Sequence, residues 1–176
     1  MKNIIIIGLK NSGKSTLARN ISNHFNLKLI VIDQLIEERH RKIKREILSF
    51  REIFRKHGNR YFRKIETEVL LEIKKIKLKN IIIDCAGGTP LNKENQIILK
   101  EIGTIVLLDL DKEINFQRII KNGIPAFFKD PGNPKKSFEE LVKIRLPVYR
   151  KLADFTLEIK NENPKEVLNK FIQLKI

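Results

Sequence analysis

A short apolar run that leads into a glycine-rich loop constrains the fold of this chain more than any other feature. Residues 4–16 read I-I-I-I-G-L-K-N-S-G-K-S-T. This is a strand-like run followed by the G-x-x-x-x-G-K-[ST] pattern of a phosphate-binding loop. Because that loop joins a strand to a helix, the pattern predicts a buried strand at residues 3–7 and a helix at residues 14–25.

The chemistry of phosphate binding explains why these residue types are needed. Glycines let backbone N–H groups turn inward around an anion, and the helix directs the positive end of its dipole to the same point. Lys14 can reach the β- and γ-phosphates, and the Ser15 hydroxyl can ligate Mg²⁺. The alternative is a glycine-rich turn with a chance lysine. We therefore expect ATP and Mg²⁺ to contact seven loop residues: Gly8, Asn11, Ser12, Gly13, Lys14, Ser15 and Thr16.

The rest of the chain alternates strand-like and helix-like segments. Further strands are predicted at 28–32, 80–85, 104–109 and 155–160, and helices near 34–57, 60–77, 92–101, 112–121, 137–151 and 164–174. Near-continuous Ile, Val and Leu runs are typical of strands buried on both faces of a parallel sheet. The pattern predicts one α/β domain over 1–176 with a three-layer P-loop kinase fold, in which helices flank a five-stranded parallel sheet.

The segment 122–136 interrupts this alternation. It contains two glycines, three prolines and a pair of phenylalanines, so we expect neither helix nor strand there. Kinases with a phosphate-binding loop need a lid that closes over the phosphates and excludes water. The position of the segment between two predicted helices favours a lid over a plain surface loop.

Composition limits the partners and the compartment. The formal net charge of +15 favours anionic partners such as nucleotides and acidic metabolites, with nucleic acid a lesser alternative because the charge is spread along the chain. Cys85 is the only cysteine, so we expect a small buried residue and a reducing environment. The first apolar run is too short for a signal peptide, and no stretch of the sequence approaches the length of a membrane span. We expect a cytoplasmic monomer without membrane contact.

Acidic residues follow two of the later predicted strands. Asp33 comes after the second strand and Asp84 ends the third. Because ligands bind beyond the carboxyl ends of parallel strands, both carboxylates are functional candidates, and Asp84 lies where a Walker B residue would help to hold Mg²⁺. The alternatives are that Asp33 caps the next helix and that Asp84 is structural. The histidines have no metal-binding spacing, so we expect all three on the surface: His24, His40 and His57.

Further short motifs follow the phosphate-binding loop in a fixed order. After Asp33 come E-I-F at 52–54, Y-F-R-K-I-E at 61–66, A-G-G-T-P-L at 86–91 and R-L-P-V-Y at 145–149. Each motif is weak alone, but their shared order makes the set specific. The set resembles shikimate kinase, in the nucleoside monophosphate kinase-like group of P-loop folds. The resemblance extends from the start of the chain to the fifth predicted strand.

The resemblance implies a role for each matching residue. Asp33 would contact the acceptor hydroxyls and accept the proton of the attacking one. Arg63 and Arg145 would bind the carboxylate of the substrate, for which the planar guanidinium is well suited. Gly87 and Gly88 would let the backbone approach the substrate closely.

Arg118 corresponds roughly to an arginine that packs against adenine in the family. Plainer alternatives remain for several of these residues: Arg63, Arg118 and Arg145 as surface residues, and the Gly87-Gly88 pair as a tight turn after a strand.

Several positions depart from the family pattern. The lid of shikimate kinases usually starts with Arg-Pro, but here the pair is Ile124-Pro125, so the arginine that reaches the transferring phosphate is missing. Three lid lysines are candidates to replace it: Lys129, Lys135 and Lys136. Val31 stands where the family often has a first aspartate, and Ala86 replaces the first glycine of a three-glycine run. The basic stretch 37–49 is longer than usual; we expect it to extend a helix in solvent, with an interaction surface as the alternative.

The expected function is transfer of the ATP γ-phosphoryl group to a small carboxylated polyol, first of all to the 3-hydroxyl of shikimate, in aromatic amino acid biosynthesis. Lys14 and Asp33 are the expected catalytic residues, and Ser15 and Asp84 the expected Mg²⁺ ligands. One alternative is a related kinase for gluconate or a nucleoside monophosphate. Another is a nucleotide-binding paralogue with little catalysis, which the altered lid and the basic charge favour.

Overall fold

The computed structural model describes residues 3–125 and 127–176, and it contains a five-stranded parallel sheet. The strands are β1 (Ile4–Ile7), β2 (Lys28–Val31), β3 (Ile81–Asp84), β4 (Thr104–Leu110) and β5 (Phe155–Ile159). Their order across the sheet is β2-β3-β1-β4-β5, and every neighbouring pair is parallel. The predicted fold class is therefore confirmed, and all five predicted strands are present.

Helices cover both faces of this sheet. In the described part of the chain they are α1 (Lys14–Phe25), α2 (Ile32–Lys44), α3 (Phe50–Lys75), α4 (Lys93–Ile102), α5 (Lys112–Lys121), α6 (Pro134–Leu152) and α7 (Pro164–Ile172). A short 3₁₀ turn, Thr89–Leu91, follows the loop after β3. None of the helices in the described ranges is long and apolar enough to cross a membrane.

The alternation of side chains along β1 divides the core into two layers. Ile5 and Ile7 pack into a cluster with residues of α2 to α6, whereas Ile4 and Ile6 pack into a second cluster with α1 and α7. β1 and β3 are buried along their whole length, while the edge strands β2 and β5 expose part of theirs. The Ile-rich runs in the sequence thus reflect strands that have no solvent-facing side.

The predicted helix 34–57 is wrong, because the chain leaves the helix after Lys44. Arg45 takes left-handed backbone angles, with φ of 58°, and ends α2. α3 then begins with a capping box, in which the Ser49 hydroxyl accepts a hydrogen bond from the Glu52 amide and the Glu52 carboxylate accepts one from the Ser49 amide. These bonds satisfy N–H groups that a helix start leaves free, and they fix the beginning of α3.

α3 is bent at Gly58, where φ is 78° and ψ is 172°. Backbone angles of this kind favour glycine, because a side chain would be strained there. The sequence predicted a separate helix from residue 60, whereas the structure has two helical halves joined by this bend. The bend sets the direction of the second half, which carries Arg63.

The basic stretch 37–49 does not simply extend a helix into solvent, as we expected. Arg39 donates a hydrogen bond to Glu72 over 2.7 Å and lies 3.3 Å from Glu68, so it joins α2 to α3. Its neighbour His40 has no exposed surface. The stretch is therefore part of the packing between the two helices.

The expected surface position of the histidines is confirmed only for His24, which is exposed. His40 is buried, and the His57 side chain is 18% exposed and lies 3.0 Å from Glu46. The prediction failed because both residues face the contact between α2 and α3, and the sequence predicted one continuous helix in place of these two. Cys85 is buried, as predicted.

The predicted lid, 122–136, connects α5 to α6. Its last three residues belong to α6, because Pro134 starts that helix and the Asn133 side chain accepts a hydrogen bond from the Lys136 amide. Ala126 lies outside the described residues. The remaining described lid residues have no helix or strand, in agreement with the prediction.

The register of the sheet brings three loops together at one edge. Asp84 at the end of β3 pairs with Ile6 of β1 on one side and with Val31 of β2 on the other. The phosphate-binding loop follows β1 directly, and Asp33 follows β2 by two residues. The carboxyl edge of the sheet is therefore where the candidate residues meet.

Candidate functional site

The first glycine of the phosphate-binding loop is required by a close backbone contact. Gly8 has φ of 151°, and a Cβ atom there would lie 2.6 Å from the carbonyl oxygen of Leu108 in β4. Any side chain would have to push the loop away from the sheet. Gly8 thus lets the chain turn out of β1 against the neighbouring strand.

The second glycine starts the helix behind the loop. Gly13 has φ of 100° and is the residue before α1, and Asn11 has φ of 60°. Both conformations are left-handed, and they place the loop amides at the beginning of α1, where its dipole favours an anion. Ser12 lies buried in the loop, its hydroxyl without a hydrogen-bond partner among the described residues. Thr16 lies in the first turn of α1 and is exposed.

Lys14 is held inside the loop. Its ammonium donates a hydrogen bond to the Leu9 carbonyl over 2.7 Å, and the residue is buried. Burial lowers the pKa of Lys14, and the nearby carboxylates of Asp84 and Asp33 oppose that shift. The lysine is thus a poorly hydrated cation beside two carboxylates, which makes it a strong partner for a phosphate oxygen.

Asp84 lies next to the start of α1. A side-chain hydrogen bond joins it to Ser15, and Asp84 itself is 7% exposed. Burial raises the pKa of Asp84, while the bond with Ser15 and the charge of Lys14 lower it. A hydroxyl and a carboxylate in contact at the phosphate-binding loop are the oxygen ligands that Mg²⁺ prefers, so this pair fits that ion.

Asp33 lies in the first turn of α2, on the same edge of the sheet. Its Oδ1 atom is buried and has no hydrogen-bond partner among the described residues, so the structure gives no support to a helix-capping role for that oxygen. Burial raises the pKa of Asp33 to about 6, and the negative charges of Asp84 and Glu66 add to the shift. A carboxylate with one unpaired oxygen and a pKa near neutrality suits proton transfer.

Arg63 is held against the loop after β3 by a buried carboxylate. Its guanidinium donates to Glu66 over 2.7 Å, and Glu66 has no exposed surface. The other oxygen of Glu66 accepts a hydrogen bond from the Thr89 hydroxyl over 2.7 Å. A Cβ atom on Gly88 would overlap the Arg63 guanidinium. The glycine therefore makes room for the arginine as well as for a ligand.

Arg145 approaches the same loop from α6. A Cβ atom on Gly87 would lie 3.6 Å from its Nη1. One turn later, the Tyr149 hydroxyl donates a hydrogen bond to the Gly87 carbonyl. Burial raises the pKa of Tyr149, and the positive charges of Arg145 and Arg63 both oppose this shift. The two arginines thus converge on one pair of glycines from separate helices.

Arg118 and Asn115 bring α5 against the phosphate-binding loop. Asn11 donates a hydrogen bond to the Arg118 carbonyl over 3.2 Å, and Arg118 Nη1 would lie 4.0 Å from a Cβ atom on Gly13. Asn115 donates to the Lys10 carbonyl over 2.8 Å. The exposed Arg118 therefore lies beside the phosphate-binding loop.

Phe127 in the segment 122–136 lies near both the phosphate-binding loop and Arg145 of α6. Arg145 lies 5.2 Å from the centre of the Phe127 ring, and Lys10 of the phosphate-binding loop lies 5.4 Å from it. Cations favour the faces of aromatic rings at such distances. Phe127 thus links the lid to the loop on one side and to α6 on the other.

Comparison with known proteins agrees with this geometry. The shikimate kinase family model matches residues 10–175. Shikimate kinase of Haemophilus influenzae (strain PittEE) is 32% identical over 173 residues, covering 98% of this chain and 92% of the relative. That of Caldanaerobacter subterraneus subsp. tengcongensis is 34% identical over 179 residues, covering 99% of each.

The chain belongs to the shikimate kinase family. It is therefore a kinase that uses ATP and transfers a phosphoryl group to an alcohol. Among solved structures, shikimate kinase from Acinetobacter baumannii in complex with shikimate superposes with a TM-score of 0.85 at 28% identity, covering 99% of this chain and 93% of that one. The predicted family and fold are confirmed.

The sequence assigned no role to three residues that build the site, although Glu66 ends the motif at 61–66 and Tyr149 ends the motif at 145–149. Glu66 orients Arg63, Tyr149 holds the Gly87 carbonyl, and Asn115 holds the Lys10 carbonyl. Glu66 follows Arg63 by three residues on a helix, which is a recognisable spacing for an ion pair. Tyr149 and Asn115 act on residues more than 60 positions away, so no local pattern predicts these contacts.

The lid departs from the shikimate kinase pattern at Ile124, which is 49% exposed. Of the three lysines considered as replacements, Lys135 pairs with Glu113 on α5 and lies 4.9 Å from the centre of the Phe116 ring. Its ammonium group therefore contacts α5 and not the phosphate-binding loop. Lys129 and Lys136 are exposed.

A concavity of about 690 Å³ lies at the opposite end of the sheet, lined by Asn3, Lys79, Lys100 and Thr104 among others. None of the motif residues lines it. The motif residues instead surround the carboxyl edge, where open α/β folds bind ligands, so that edge is the candidate site.

Proposed function

We propose that this chain transfers the γ-phosphoryl group of ATP to the 3-hydroxyl of shikimate. The observation that carries the proposal is the convergence of Arg63 and Arg145 on Gly87 and Gly88, at the same edge of the sheet as Asp33. Two guanidinium groups at one backbone loop suit a small carboxylate. A nucleotide site alone has no need of such a clamp.

On the nucleotide side, the loop from Gly8 to Thr16 would surround the phosphates of ATP, and Lys14 would leave the Leu9 carbonyl to bind the β- and γ-phosphates. Ser15 and Asp84 would hold Mg²⁺, which neutralises phosphate charge when bound. Arg118, beside Gly13, would pack against the adenine.

On the acceptor side, Asp33 would orient the attacking hydroxyl and take its proton. Its buried Oδ1 is free to accept a hydrogen bond, and its pKa of about 6 leaves it ionised at neutral pH. Arg63 and Arg145 would bind the substrate carboxylate and hold the hydroxyl in line with the γ-phosphate. Most of the rate enhancement would then come from positioning and charge neutralisation.

We further propose that residues 1–176 act as one domain, with the lid at 122–136 and the acceptor-binding region at 33–63. The lid would close over the phosphates and exclude water. All of the site residues named above come from one chain, so a monomer would suffice. A cytoplasmic setting fits the single buried cysteine.

The test is ADP release from Mg·ATP with shikimate, run beside gluconate, nucleoside monophosphates and a reaction without acceptor. We expect turnover that depends on shikimate alone, and we expect it to be lost when Asp33 and Arg63 are both replaced by alanine. Turnover on gluconate or a nucleotide instead would reassign the acceptor. ATP binding without turnover on any acceptor would identify a non-catalytic paralogue and overturn the proposal.

A further inference from the structure

Three potential metal ligands meet where α2 packs against the first half of α3. His40 lies on α2, Glu46 lies in the segment between the helices, and His57 lies just before the bend at Gly58. One ligand atom from each residue falls within 4.8 Å of the other two. The Nε2 atoms of His40 and His57 lie 3.3 Å and 3.0 Å from the same oxygen, Glu46 Oε2.

The orientation of the cluster is fixed by Tyr61. Its hydroxyl lies 2.9 Å from His40 Nδ1, and its ring lies 4.8 Å from the His57 ring, centre to centre. His40 has no exposed surface. A histidine that ligates a metal through one nitrogen usually has its other nitrogen held by a hydrogen bond, and Tyr61 supplies that bond here.

We propose that His40, Glu46 and His57 form a binding site for a divalent transition metal ion, Zn²⁺ by its donor set, which clamps α2 to the first half of α3. Two imidazole nitrogens and one carboxylate oxygen are a common set of protein ligands for zinc, with a fourth position left to water. Ligand bonds of about 2.0–2.2 Å in a tetrahedral site put neighbouring ligand atoms roughly 3.3 Å apart. The two Nε2–Oε2 distances are close to that value.

Access and charge are compatible with an ion at this position. The side chains of Glu46 and His57 are 32% and 18% exposed, so the cluster opens to solvent on one side. Lys56 pairs with the other carboxylate oxygen, Oε1, over 3.0 Å and leaves Oε2 to the histidines. Lys56 is 56% exposed and can turn into water when a cation binds.

The consequence of binding follows from the position of the bend. The cluster holds the part of α3 before Gly58. Arg63 lies beyond the bend, at the start of the second helical turn after Gly58. An ion would fix the first half of α3 against α2 without touching the phosphate-binding loop. The clamp thus acts on the scaffold of the acceptor side, and it does not depend on the phosphoryl transfer proposed above.

The test is titration of the chelator-treated full chain with ZnCl₂, against a competing chromophoric chelator. We expect saturable binding of one ion per chain and visible absorption bands of tetrahedral Co²⁺ when cobalt is used instead. His57→Ala and Glu46→Gln should each weaken binding by more than about 100-fold, and Tyr61→Phe by about 10-fold, as for partners that orient a ligand. His24→Ala, which changes an exposed histidine on α1, should bind like the parent.

His57 and Glu46 are chosen because both are partly exposed, so their replacement opens no cavity in the core. Circular dichroism verifies that each variant is folded before it is titrated. In addition, Zn²⁺ should raise the melting temperature of the parent but not that of His57→Ala. Equal zinc affinity in the parent and in His57→Ala, or no saturable binding by the parent, would overturn the proposal and leave a hydrogen-bonded helix contact only.

Discussion

The nucleotide side and the acceptor side of the candidate site are built in different ways. The phosphate-binding loop is mostly local: Gly13 directly precedes α1, and Lys14 bonds to the carbonyl of Leu9 five residues earlier. The acceptor side is assembled from α3, the loop after β3 and α6, through Glu66 and Tyr149. Substitutions on the first side should therefore change nucleotide chemistry alone, and those on the second should change acceptor binding through distant partners.

The largest effect is expected on the nucleotide side. Lys14→Ala removes the buried cation that we propose binds the transferring phosphate, so kcat should fall by about 10³-fold. Steady-state ADP release with Mg·ATP and shikimate measures this. Lys28→Ala, at the amino end of β2 and exposed, is the matched control and should leave kcat unchanged. A Lys14→Ala enzyme within tenfold of the parent would show that the loop does not act as described.

The next effect tests the carboxylate that lies between the two sides. Asp33→Asn cannot accept a proton, so kcat should fall by at least about 100-fold. In the parent, kcat/KM should decrease below a pH of about 6, where Asp33 becomes protonated. A parent profile that stays flat down to pH 5 would exclude Asp33 as the base.

The same residue gives a stability prediction. The pKa of Asp33 is about 6 when folded and about 3.9 when unfolded, so the folded chain binds this proton more tightly. The stability that this tighter proton binding adds is therefore present below pH 4, and it is lost as the pH rises through 6. Asp33→Asn should accordingly be more stable than the nucleotide-free parent at pH 7, by about 3 kcal/mol. Urea unfolding at pH 4 and pH 7 measures this, with Glu38→Gln on the same helix as control.

The sequence predicted the parts of the molecule that depend on local spacing. The Ile-rich strands, the loop from Gly8 to Thr16 and the position of Asp33 after β2 all follow from patterns a few residues long. The split between α2 and α3 was missed although Ser49 and Glu52 have the spacing of a capping box. That signal is local too, so the sequence itself contains the start of α3.

The rest of the site is beyond local patterns because it depends on contacts between distant segments. The burial of His40 follows from the packing of α2 on α3, and Tyr149 reaches a carbonyl 62 residues away. Whether a lysine of the lid faces the phosphates depends on its partner, and for Lys135 that partner is Glu113 on another helix. The burial of a side chain and its contact partner thus depend on tertiary structure rather than on residue type.

A smaller effect is expected where the acceptor side depends on a positioning residue. Glu66→Gln keeps the shape of the side chain but removes the charge that holds Arg63 against Gly88. We expect KM for shikimate to rise about tenfold, as for loss of one charge-assisted hydrogen bond, while the affinity for ATP stays the same. Separate saturation curves for the two substrates measure this.

Glu68→Gln is the matched control for that change, because Glu68 lies two residues later on α3 and pairs with Arg39 instead. It should leave both constants unchanged. An equal loss of ATP affinity in Glu66→Gln would mean that the two sides are not built independently.

The smallest effects are expected in the lid, where the two sides meet at one ring. Phe127 lies near the cations of Lys10 and Arg145, and each such contact contributes about 0.5–1 kcal/mol. Phe127→Ala should thus lower kcat/KM about fivefold for ATP and shikimate alike. Lys135→Ala should change kcat less than about twofold, because Lys135 pairs with Glu113. If Lys135→Ala costs more than Phe127→Ala, that lysine leaves Glu113 during turnover and takes the place of the missing lid arginine.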